Sequence, residues 1–334
     1  MEKWVRNSFF QSIYSSLAGM KNWTYDHGLL KTVQLKTPVI SVGNLTVGGT
    51  GKTPMIRHLV QYALQKGLKP VIVSRNYKAE SQCIQRVDIN HEKASQYFGD
   101  EPTLLASIFP DVSVYVGPTK WMTALEAEKR ESPDVIFVDD GFQHRNLHRN
   151  FDLVLLDATV NLQDYELLPV GKARESIRSL KRAHWICITK SNLVNFEKIN
   201  SLKELMGTQG HILKMNYQVE IPQTVHGQKA LAFCGLGQPD SFYQSLRQTQ
   251  QIDLKETVSF PDHYLYTQKD IEILMNKKNE IQADCILTTE KDWVKIQKLS
   301  IDLKSIFHVG LKTELQGPLG EFYVHLDKVL GCNH

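Results

Sequence analysis

The chain has 334 residues, more than one ordinary small core needs, so two domains are expected. It is 42% hydrophobic and 22% charged, as for a folded globular protein, and its net charge of +3 is too small to argue for nucleic acid as a partner. Cys83, Cys187, Cys234, Cys285 and Cys332 are scattered with no CxxC pair, which fits a reducing compartment and argues against zinc; no apolar run reaches the length of a membrane-spanning helix.

Residues 1–20 carry a helical stripe, with Val5, Phe9, Ile13 and Leu17 four apart and Phe10, Tyr14 and Met20 beside them. Polar Asn7, Gln11, Ser12, Ser15 and Ser16 interrupt any apolar core a secretory signal would need. Two structures suit such a stripe: a helix packed on the body of the protein, or a helix lying in a bilayer interface. Lys3, Arg6 and Lys21 near its ends would favour anionic lipid in the second case.

Residues 38–43 read as a short buried strand. A Gly-rich loop follows, then a helix from about Pro54 to Lys66 closed by Gly67. Strands are expected at 70–74, 112–116, 134–138, 152–157 and 185–189. Helices are expected after Gly99-Asp-Glu-Pro102 and over 119–131. Alternating strands and helices predict parallel βαβ units with helices on both sheet faces. Residues 210–228 alternate weakly and read as extended linker strands. A second strand–turn–helix series begins at Ala230, with strands near 283–288 and 305–309, so a boundary falls near 215–228.

The loop Thr46-Val47-Gly48-Gly49-Thr50-Gly51-Lys52-Thr53 has the makings of a phosphate cradle. Small residues let backbone N–H groups converge on an anion. Lys52 can meet the β- and γ-phosphates of a nucleotide, and the Thr53 hydroxyl can meet magnesium. Thr46 stands where the common pattern has its first glycine. The second element of such a site is an acid at the end of an apolar strand, to hold the metal directly or through water. Val135-Ile-Phe-Val138 followed by Asp139-Asp140 fits, although acid pairs also cap turns. Gly235–Gly237 with Gln238 looks like a degenerate second phosphate loop without a lysine, so no nucleotide is expected there. Thr189-Lys-Ser-Asn192 ends a strand and lacks the Asp of a guanine-reading motif.

Several segments together resemble the tetraacyldisaccharide 4′-kinase family, the lipid A 4′-kinases of Gram-negative bacteria. They are Ser41-Val-Gly-Asn-Leu-Thr-Val-Gly-Gly-Thr-Gly-Lys-Thr-Pro54, Gly99-Asp-Glu-Pro102, Asp139-Asp-Gly-Phe-Gln-His144, Leu168-Pro-Val-Gly-Lys-Ala-Arg-Glu175, Phe260-Pro-Asp-His-Tyr264 and Thr289-Glu-Lys-Asp292. Their order and spread cover most of the chain. Thr46 suits the family's own loop. The chain departs from the family at Asn76, where Gly is usual after Ser-Arg, and at Ala173, where a bulkier residue is usual.

The resemblance implies transfer of the ATP γ-phosphate, with Mg2+, to the 4′-hydroxyl of a tetraacyl glucosamine disaccharide 1-phosphate, a late step of lipid A biosynthesis. It implies two P-loop-like (RecA-like) parallel-sheet α/β domains joined by a short extended linker. The expected division is 1–30 for an N-terminal membrane-associated helical segment, 31–215 for the kinase domain, 216–228 for the linker and 229–334 for a smaller α/β domain. The expected partners are the lipid substrate and the anionic surface of the bacterial inner membrane on its cytoplasmic side, bound peripherally or monotopically, with no nucleic acid and no obligate protein partner.

The resemblance also assigns residues. Asp100 is the expected general base, although a first-turn acid beside Pro102 also suits a simple helix start. His263 would orient or tune it. The helix after His263 starts at Thr267 with Asp270 in a capping box, so His263 lies in the preceding loop and must reach across from the second domain, making domain closure part of site assembly. Thr53, Asp139 and Asp140 are the expected magnesium residues. Asn44, Arg75, His144, Arg174 and Glu175 would line the cleft; for His144, Arg174 and Glu175 ordinary surface hydrogen bonding is the plain alternative. Two other classes stay open on the residues alone: a P-loop switch ATPase or GTPase, and a kinase for a soluble small metabolite. Val47, where partitioning-type ATPases carry a signature lysine, speaks against the first; the N-terminal stripe speaks against the second.

Overall fold

The computed structural model describes residues 16, 19, 20, 22–76, 79–207 and 211–332. Of the N-terminal stripe, Val5, Phe9, Phe10, Ile13, Tyr14 and Leu17 lie outside the described residues. The first part of the chain supplies strands β1 (Val39–Asn44), β2 (Pro70–Arg75), β3 (Gln85–Arg86), β4 (Ser113–Gly117), β5 (Val135–Asp139), β6 (Phe151–Asp157), β7 (Trp185–Thr189) and β8 (His211–Glu220). The second part supplies β9 (Lys229–Cys234), β10 (Asp253–Ser259), β11 (Cys285–Thr289) and β12 (Ile306–Gln316). Between them run helices α1 (Lys52–Gln65), α2 (Ala94–Phe98), α3 (Asp100–Ile108), α4 (Lys120–Glu131), α5 (Phe196–Met206), α6 (Pro239–Gln248), α7 (Gln268–Glu280), α8 (Glu290–Ile296) and α9 (Leu319–Leu330).

The strands form a single sheet in the order β10-β9-β11-β12-β8-β7-β6-β1-β5-β2-β4-β3, parallel except at β12–β8 and β3–β4. Its central strands are apolar on both faces because helices cover both, and every residue of β1, β5, β6 and β7 is buried. The expected linker is sheet only as far as Glu220; beyond it the chain passes through a 3-10 turn at Gln223–Val225. β8 pairs in parallel with β7, and along Lys214–Glu220 it pairs antiparallel with β12. β12 itself changes neighbour near Gly310: Ile306–Val309 follow β11 in parallel, and Gly310–Gln316 follow β8. Pairing these two long strands satisfies two edges that separate sheets would expose.

The C-terminal helix also crosses the expected boundary. Phe322, Leu326 and Leu330 of α9 are buried in the core beneath β1, β6 and β7, among Phe151, Leu153 and Trp185. Buried Asp327 accepts from Tyr62 Oη at 2.7 Å and from Lys66 Nζ at 3.0 Å, tying α9 to α1. β3, β10, α2, α5 and α9 were not read from the sequence; β10 is an edge strand of mostly half-exposed residues with no apolar run. The capping box at Thr267 and Asp270 is present, and α7 begins one residue later.

Candidate active site

The phosphate loop is shaped by its neighbours. β1 ends in buried Asn44, and the chain then lies against the segment between the two 3-10 turns that follow β6, Leu162–Tyr165 and Ile177–Arg182: Val47 N donates to Lys172 O at 2.9 Å and Arg174 N donates to Leu45 O at 2.8 Å. Thr46 bridges Ala173, which is fully buried, so the small residue allows this close approach. Val47, Gly48 and Gly49 are exposed, leaving the loop's backbone open to a ligand. Gly51 caps α1 at φ 90°, and a Cβ there would collide with Tyr217 of β8. Gly51→Ala therefore combines left-handed strain of about 1–3 kcal/mol with a clash. The expected result is a lowered Tm and at least tenfold weaker Mg-ATP binding, read by thermal shift with and without nucleotide.

Lys52 opens α1, its Nζ 3.5 Å from Asn44 Oδ1 and 3.8 Å from Asp140 Oδ1. Arg174 grips Asp140 with both nitrogens of its fork, NH1 to Oδ2 at 2.7 Å and NH2 to Oδ1 at 2.8 Å, and also bonds the Asn44 side chain. Burial alone would raise the pKa of Asp140; the Arg174 hydrogen bonds and the charges of Lys52 and Lys120 hold it well below the usual carboxylate range. Asp140 also sits at φ 54°, a strained conformation that Gly141 and Phe142 lock by packing against Ser41 and Gly43.

Asp139 has a different environment. It is 2% exposed, accepts from Ser74 Oγ at 2.9 Å through Oδ2, and its Oδ1 has no partner among the described residues. Burial and the neighbouring Glu101 carboxylate push its pKa up, against the pull of Lys120 and Lys52. Lys120 opens α4 fully buried, and its Nζ is likewise unpartnered among the described residues. Burial pushes its pKa down to about 8, opposed by Asp139, Asp140 and Glu101. Thr53 follows Lys52 on the first turn of α1.

The second cluster joins the two parts of the chain. Asp100 begins α3, and His263 comes from the loop between β10 and α7; His263 Nδ1 lies 2.9 Å from Asp100 Oδ2. Lys295 of α8 reaches the same oxygen at 2.9 Å. Burial would raise Asp100, but the His263 hydrogen bond and the charges of Lys295 and Lys291 hold it below its ordinary value. An ionised carboxylate only accepts, so His263 Nδ1 carries the proton it donates here. His263 stands at φ 63°, strain for a non-glycine residue.

The remaining expected residues are placed as follows. Arg75 ends β2 and is exposed. Asn76 binds Ser81 O through Nδ2 at 2.6 Å, which closes the turn where glycine was expected. His144 lies on the turn after β5, its amide bonded to Gly141 O at 2.9 Å. Glu175 faces away from Asp140: it pairs with Arg182 and accepts from Asn22 Nδ2 at 3.4 Å.

A sequence model of the family described as tetraacyldisaccharide-1-P 4′-kinase matches residues 8–329. A tetraacyldisaccharide 4′-kinase of Bdellovibrio bacteriovorus is 36% identical over 329 residues, 95% of this chain and 97% of that protein. The chain belongs to the tetraacyldisaccharide 4′-kinase family. A relative of the same name from Aquifex aeolicus is 34% identical over 311 residues, 92% of this chain and 93% of that protein. The crystal structure of LpxK from Aquifex aeolicus in complex with ATP superposes with a TM-score of 0.77 at 30% identity, covering 96% of this chain and 97% of that one.

In this kinase, Lys120, Glu101, Ser74 and Lys295 were not picked out from the sequence. Lys120 carried a signal: a cation on the first turn of a helix opposes the helix dipole, so it needs a reason to be there. Ser74 stands at the carboxyl end of a central parallel strand, the usual side for ligands in open α/β sheets. Lys295 gave no such hint, since a lysine four residues after Lys291 reads as a solvated helix face.

Proposed function

We propose that this protein transfers the γ-phosphate of ATP to the 4′-hydroxyl of a tetraacyl disaccharide 1-phosphate, the lipid A 4′-kinase reaction. Family membership over residues 8–329 supports the activity, and the contact of Asp100 with His263 at 2.9 Å is the observation that carries the mechanism. Asp100 takes the proton of the acceptor hydroxyl as its oxygen attacks the γ-phosphorus. The bond to the β,γ-bridging oxygen breaks, and ADP leaves. His263 holds the carboxylate in place. Because His263 and Asp100 come from opposite parts of the sheet, their approach completes the site.

Lys52 and the exposed loop backbone bind the nucleotide phosphates, and Lys120 adds a charge that meets the transferring group. The residues fit magnesium. Asp139 presents a buried, unpartnered oxygen, and a buried carboxylate left so is unfavourable without a cation. Among the described residues no three acidic, His or Cys side chains form a complete cage, which suits an ion shared between one or two carboxylates and substrate phosphates. Thr53, Asp139 and Asp140 would hold it, and it would neutralise charge on the β- and γ-phosphates. Asn44 and Arg174 position Asp140, while Arg75 and His144 flank the cleft. Glu175 contributes through Arg182, which lies over the Phe142 ring at 4.3 Å from its centroid.

The N-terminal segment binds the cytoplasmic face of the inner membrane peripherally. No described helix is long and apolar enough to cross a membrane. Met20, Trp23, Leu29 and Leu30 are exposed apolar residues at its described end. That end is fastened to the site: Arg145 donates to Asn22 O at 2.9 Å and to Asp26 Oδ1 at 2.6 Å.

Incubating the purified protein with Mg-ATP and detergent-dispersed tetraacyl disaccharide 1-phosphate is expected to give the 4′-phosphate. Mg-ATP binding with no transfer to that lipid would sink the reading. Deleting residues 1–20 is expected to abolish co-sedimentation with anionic vesicles; unchanged sedimentation would remove the membrane part alone.

A further inference from the structure

Helix α8 is the part of the second half that grips the first. Glu290 at its start accepts from Arg57 NH1 of α1 at 3.1 Å, and Lys298 just past its end donates to the carbonyls of Ile89 and His91. Between them stands Lys295, whose side chain is 3% exposed. Its Nζ lies 2.9 Å from Asp100 Oδ2, 3.2 Å from Tyr264 O and 3.9 Å from Asp292 Oδ1. Burying a lysine this deeply is costly unless it is compensated, and here a carboxylate meets the charge while Asp100 and Tyr264 O take two of its hydrogens.

We propose that Lys295 is a positioning residue for phosphoryl transfer, holding the Asp100 carboxylate by one oxygen so that the other faces the acceptor hydroxyl. The inference rests on the reading of Asp100 as the base. Two donors, His263 Nδ1 and Lys295 Nζ, converge on Oδ2, and among the described residues none hydrogen-bonds Oδ1. One donor would let the carboxylate rotate about its Cβ–Cγ bond. Two donors from different directions fix its plane. Because Tyr264 O takes a second Lys295 hydrogen, the ammonium is tied to the same loop that carries His263. Glu290, Lys295 and Lys298 together make formation of the base conditional on docking of α8 against α1 and α3.

The charge has a second effect. Asp100 meets His263 and Lys295 directly and feels the charge of Lys291; Asp262 faces His263 and Lys291, Asp292 faces Lys295, and Glu101 lies beside Asp100 on its own helix. Burial favours its neutral acid form, and these cations oppose that. The base acts only when ionised, so activity is present above its pKa and lost as pH falls through it. Removing the Lys295 charge raises that pKa and moves the acidic limb of the kcat profile to higher pH.

The test compares wild type, Lys295→Met, Lys295→Gln, Lys295→Arg and Asp100→Asn over a pH series with Mg-ATP and the lipid acceptor. Lys295→Met is expected to lower kcat about 10–100-fold with KM for ATP within about threefold, and to move the acidic limb upward by about one unit or more. Lys295→Gln keeps hydrogen bonding without charge; it is expected to move the limb with a smaller loss of kcat, and it serves if the Met variant does not fold. Lys295→Arg is expected to keep the wild-type limb. A limb unmoved in both neutral variants, or Arg as damaging as Met, overturns the proposal and leaves Lys295 as packing. Wild-type turnover in Asp100→Asn overturns the base assignment itself, and this inference with it.

Discussion

Asp100→Asn is expected to lower kcat by about 10²–10⁴-fold, the usual contribution of a positioned general base, while Mg-ATP still binds and the protein stays folded. The substitution separates two roles that the residue's position allows. As the first residue of α3, an acid favours the helix dipole by about 0.3–1 kcal/mol, a stability effect that would leave turnover per folded molecule intact. Asn preserves the shape and can still accept from His263 and Lys295, but it cannot take a proton. His263→Gln is expected to fall between wild type and Asp100→Asn, because the Lys295 contact on Oδ2 survives. Turnover within about threefold of wild type for Asp100→Asn, with acceptor assays run at saturating ATP, would reduce Asp100 to a helix-start residue.

Much of the first half of the fold is legible because parallel strands covered on both faces read as unbroken apolar runs. Residues 185–189 are a strand with the expected limits, β2 and β6 differ from expectation by one residue at one end, and β1, β4 and β5 are each shifted by one residue. The join between the halves was not legible. β8 and β12 alternate buried and exposed residues, and their pairing depends on contacts a hundred residues apart that no local pattern encodes. The helix α9 was not read from the sequence, and its amphipathic pattern alone does not say which sheet it covers.

At the site, the phosphate loop and the acid pair announce themselves by backbone needs: left-handed Gly48 and Gly51, and an acid at a strand end. What spacing could not supply is the difference between the two acids. Asp140 is paired with Arg174, whereas among the described residues Asp139 accepts only from a hydroxyl, so the protein holds one as an anion and leaves the other without a cationic hydrogen-bond partner. Those partners arrive from β2 and from residues 168–175, far apart in the chain. Lys295 was hidden for the same reason, since burial of a lysine depends on its folded neighbours; Lys120 showed only its awkward place on the first turn of a helix.

Lys120 carries the prediction with opposite signs on stability and activity. Its pKa falls from 10.5 in the unfolded chain to about 8 in the folded protein, where it is fully buried. That shift corresponds to about 3 kcal/mol of destabilisation at neutral pH. Between pH 8 and 10.5 the unfolded chain binds more protons than the folded one, so this penalty shrinks as pH rises through that window and is fully present below it. Lys120→Met fills the same space without charge. The unliganded variant is expected to melt a few degrees higher than wild type at pH 7, with the difference closing toward pH 10. The gain is limited because Asp139, whose pKa is raised but which is still largely ionised at pH 7, loses an attractive charge. Activity moves the other way. Among the described residues the Lys120 ammonium has no hydrogen-bond partner and feels the charges of Asp139 and Asp140; with the proposed role of meeting the transferring phosphate, its loss is expected to lower kcat by about 10²–10³-fold. Thermal melts and saturating-substrate turnover on the same preparation read both. A lysine that merely held the fold together would show the reverse pair: a lower Tm, with turnover per folded molecule intact.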